Sequence, residues 1–126
     1  MDYLNKFNIT FNEFIDDISN LFPEDNEFAL YKTALKTAIS IDKKLAYNTF
    51  NSKVTEKYSE QILSRDETFF LEHDYSIVLT KKEYSSVIDK IKTYWTSMNE
   101  DNKNIVWKYF KVLILLSKKI KELESA

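Results

Sequence analysis

Asp66, Glu67, Glu72, His73 and Asp74 place four carboxylates and the chain's single histidine within nine positions. Residues of these types serve a hard-metal site or an acid–base pair, because carboxylates hold magnesium, manganese or calcium and an imidazole titrates near neutral pH. The stretch 65–79 shows no clean period, and irregular segments are where sites often sit. The same residues have a plainer use. Asp66 and Glu67 can cap a short turn and pair with Arg65 or nearby lysines while His73 stays at or near the surface, and such clusters are usually solvated charge. The plainer use is our expectation; a divalent-metal-dependent hydrolase or nuclease using 66–74 is an alternative.

Other chemistry finds little material. A nucleophile needs an adjacent base and a shaped oxyanion turn, and the chain has one histidine, no cysteine and no glycine. The glycine-rich phosphate and dinucleotide loops are absent, zinc lacks its nitrogen or sulfur ligands, and no EF-hand spacing occurs. We therefore assign no catalytic residue, no metal ligand and no cofactor, and expect a protein that is not an enzyme.

Glycine supplies the positive φ of hairpins and bulges, so its absence, with one proline at position 23, points to an all-α chain. The 44% hydrophobic content, including nine Phe, eight Tyr and two Trp, is ample for one core, and residues 1–126 read as a single domain. The amino terminus lacks a basic start and an apolar run, and the longest aliphatic run, 112–116, is far short of a membrane span. With no cysteine to form disulfides, the expected location is intracellular, without membrane contact.

Periodicity and caps predict a bundle of about five helices. The first runs over 11–22, from a Thr10/Glu13 capping box to Pro23, with Phe11, Phe14, Ile15, Ile18, Leu21 and Phe22 on one face. The second spans 24–39 and buries Phe28, Tyr31, Leu35 and Ala38, with Leu30 and Ile39 as further candidates, against the first. The third, 43–64, is capped by Asp42 and carries Ala46, Phe50, Val54, Tyr58 and Ile62 at every fourth position. Residues 65–79 read as a short helical turn and an extended crossing. The fourth helix runs from a Thr80/Glu83 capping box to about 98, and Asn99 stands where glycine usually supplies a left-handed residue. The fifth, 102–123, is apolar around more than half its circumference, which makes the C-terminal helix the expected centre of the bundle.

Projected at about 100° per residue, Leu115 falls among Lys108, Lys111, Lys119 and Glu122, where a solvated helix carries charge. Trp107 and Ile114 fall at the edge of that sector beside Lys111 and Lys118. These residues outline a lysine-rimmed apolar patch suited to a protein partner or a second copy of the chain. The bland alternative is that Tyr3, Leu4 and Phe7 fold back over it. Nucleic acid is a second reading, resting on the lysines. It is disfavoured by a pI near 5.5 and by Arg65 as the lone arginine. Net charge is −2, yet residues 1–76 hold 8 basic and 14 acidic side chains while 77–126 hold 10 and 6. The two parts attract, within one molecule or between copies.

The run from Ile62 to Leu71 (ILSRDETFFL), with Asp74-Tyr75, Ile91-Lys92-Thr93-Tyr94-Trp95 and the run from Asn102 to Tyr109 (NKNIVWKY), resembles a family of small helical proteins encoded by large DNA viruses of eukaryotes. The resemblance covers most of the chain after residue 40. It implies a viral origin; on that origin the expected role is a non-enzymatic interaction or structural protein, a virion component or host-directed adaptor, in the host cytoplasm or the virion. It implies no catalytic residue.

Overall fold

A computed structural model describes residues 2–72 and 87–125. They form an all-α bundle of α1 (Asp2–Leu21), α2 (Glu27–Ile41), α3 (Leu45–Phe50), α4 (Glu56–Leu63), α5 (Glu67–Glu72), α6 (Val87–Tyr94) and α7 (Glu100–Ser125). A π-helical turn, Asn51–Thr55, joins α3 to α4, and a 3-10 turn, Trp95–Ser97, follows α6. The C-terminal helix organises the bundle: α7 packs against α1, the π-helical turn and α4. Among the described residues no helix is long and apolar enough to cross a membrane.

α1 begins nine residues before the expected start at 11. Thr10 is an interior residue of the helix and caps nothing, because Tyr3, Leu4 and Phe7 extend the 3–4 spaced stripe of Phe11, Phe14, Ile15 and Ile18 upstream of it. Phe7 is fully buried, with ring centroids 6.0 Å from Phe11, 5.9 Å from Tyr47 and 5.5 Å from Phe50. α1 ends before Pro23, whose ring disfavours helical backbone at Phe22. Asp25 then accepts the Glu27 N–H at 3.0 Å to open α2. α2 buries Phe28, Tyr31, Leu35 and Ala38 as expected, but Leu30 is exposed.

The third expected helix is one rod in three parts. Asp42 turns the chain by accepting the Lys44 N–H at 2.9 Å, and Ala46, Phe50, Val54 and Ile62 are buried along the rod with Tyr58 half-buried. A row at every fourth position drifts around an α-helix. The wider i→i+5 turn advances less per residue, so at Asn51–Thr55 it takes back that drift and keeps Phe50 and Val54 facing the core.

The rod ends in a Schellman motif: Asp66 N–H bonds Gln61 O and Arg65 N–H bonds Ile62 O, each at 3.0 Å. Arg65, at φ 59°, is the one left-handed residue among those described. Asn99 is not left-handed, contrary to expectation. It caps α7, its side-chain oxygen accepting the Asn102 N–H at 2.8 Å. The Thr80/Glu83 capping box and the expected crossing at 73–79 lie outside the described residues.

Aromatic rings make a large part of the core. Phe14 meets Phe110 at 5.5 Å, and Phe70 from α5 meets Trp95, Trp107 and Phe110 at 5.1, 5.5 and 5.5 Å. Edge-to-face geometry prevails, as the ring quadrupole favours.

Candidate functional site

The acidic segment has structural employment. Asp66 caps α5: its side-chain oxygen accepts the Phe69 N–H at 3.0 Å and its backbone oxygen the Phe70 N–H at 2.9 Å. Glu67 faces Lys103 at 3.6 Å, and Arg65 donates to Asn104 at 3.0 Å. Glu72 is exposed. Among the described residues no three acids or histidines come together as a metal site. His73 and Asp74 lie outside those residues.

The lysine-rimmed patch takes a different form from the one outlined above. Trp107 is 7% exposed and Ile114 fully buried, so neither lines a surface. Trp107 lies among the rings of Phe70, Trp95 and Phe110, at centroid distances of 5.5, 5.2 and 6.2 Å. A helical projection cannot show this, because the rings laid against Trp107 come from Trp95 of the 3-10 turn and from Phe70 of α5, a six-residue helix from the segment without a clean period. What stays at the surface is Leu115, 50% exposed, and Val112, 44% exposed, with Lys108, Lys111, Lys118 and Lys119 around them. Val112 and Leu115 are three apart and so adjacent on the helix. Sequence reasoning placed Val112 in the buried arc, although its projection lies beside Lys108. Tyr3 and Leu4 do approach α7, but at its far end, where they line a cavity of about 230 Å³ with Lys44, Ile120, Leu123 and Glu124. They leave Leu115 uncovered.

Elsewhere the polar groups hold the bundle together. Tyr94 donates to Asp25, Tyr109 to Asp17, Tyr47 to Glu124 at 3.3 Å and Tyr31 to Glu27 at 3.4 Å. At the α1–α2 corner, Lys90 reaches Asp25 at 3.0 Å and Glu27 at 2.8 Å beside an open groove of about 720 Å³. The Tyr94 hydroxyl, then the Glu27 N–H and Lys90, hold the Asp25 carboxyl below its ordinary value against the opposing effect of burial. The hydrogen bonds that Lys90 donates to Glu27 and Asp25 raise it above its ordinary value. These charges answer one another.

A second groove of about 540 Å³ runs between α1 and α2, past Ile9, Ile39, Lys36 and Lys43. Beside it Asn8 donates to Lys43 O at 3.0 Å, while the side-chain oxygens of Asn8 and Asn12 are buried without a partner.

No protein-family model, curated protein or solved structure matches the chain.

Proposed function

We propose that the protein works by binding another protein, as an interaction or structural component rather than as an enzyme, through the outer face of α7. One observation carries this reading: Val112 and Leu115, adjacent and about half exposed, share the outer face of α7 with the exposed Lys108, Lys111, Lys118, Lys119 and Glu122, while the other sides of the helix form the core. A role as a virion component or host-directed adaptor of a large DNA virus, acting inside the cell, is part of the same proposal.

The test is photo-crosslinking in the native host, with p-benzoylphenylalanine at position 115 and, as a control, at Lys57 on the exposed side of α4. Discrete protein adducts at 115 and none at 57 are expected. Adducts to nucleic acid would move the function to the lysine-based alternative, and the absence of adducts would remove the surface from consideration.

A further inference from the structure

We draw no further inference here: the strongest candidate, the groove of about 540 Å³ between α1 and α2, carries nothing, because the two unpartnered side-chain oxygens beside it, of Asn8 and Asn12, are closed off from solvent and so from any occupant of the groove, and nothing in the structure shows what covers its exposed Ile9.

Discussion

Thr55 and Ser117 share a buried hydrogen bond of 2.6 Å where the π-helical turn meets α7. Ser117 spends its hydroxyl proton on Ile114 O at 2.9 Å, so Thr55 is the donor of the pair. The two ends are therefore unequal. Ser117→Ala strands a buried O–H and should cost about 1–3 kcal/mol, whereas Thr55→Val removes the donor, keeps the shape and should cost about 1 kcal/mol. Urea denaturation of both single variants and the double should show a double cost below the sum of the singles. Strict additivity would mean the pair is not coupled.

Trp107→Ala should destabilise the fold by about 3–5 kcal/mol, because it removes a ring packed against three others. Leu115→Ala should stay within about 0.5 kcal/mol, as at an ordinary surface position. Chemical denaturation separates the two. Similar small losses in both variants would return Trp107 to the surface and undo the placement of α5.

Stability should fall at both ends of the pH scale. Asp25 and Glu124 lie below their ordinary carboxylate values, chiefly through Tyr94 and Lys44 respectively. Their contribution is present above their ordinary values of 3.8 and 4.5 and is lost as pH falls through the folded values. Burial first, then Glu27 and Glu124, pushes Tyr31 and Tyr47 up to about 12. That contribution is present below about pH 10 and disappears as pH rises toward 12. Melting temperature against pH should therefore form a plateau with two falling arms, and Asp25→Asn should lower the plateau and flatten the acid arm. An acid arm of unchanged slope would rule Asp25 out as its source.

Arg65 adopts left-handed backbone at a cost of about 1–2 kcal/mol for a residue with a Cβ. Arg65→Gly should accordingly be more stable than Arg65→Ala by about 1 kcal/mol, since both lose the bond to Asn104 and only glycine is relieved of strain. Asp66→Ala should cost about 1 kcal/mol through the lost cap of α5. Millimolar magnesium should leave the melting temperature unchanged in both wild type and Asp66→Ala, and a shift confined to wild type would establish metal binding.

The all-α class, the Pro23 break and the buried row of the third helix were legible because each rests on a local rule: a missing residue type, a blocked backbone, a repeat. The extension of α1 was legible too, in the spacing of Leu4, Phe7 and Phe11, but Thr10 and Glu13 imitate a cap when read without the turns upstream. The π-helical turn leaves no mark in the pattern of residue types. Trp107 shows the main limit. Whether a ring at the edge of a polar sector is surface or core depends on what another element lays over it. Here the covering rings come from a 3-10 turn and from a six-residue helix too short for periodicity to reveal.

Phe14 on α1 packs against Tyr109 and Phe110 on α7, at ring centroids 5.0 and 5.5 Å, and Asp17 receives the Tyr109 hydroxyl. α1 is thus completed by a helix synthesised well after it. At roughly 5–20 residues per second, the hundred or so residues between them take about 5–20 s to synthesise. During that interval the face of α1 that packs on α7 lacks that cover, and its apolar side chains, Phe14 among them, stay open to other contacts.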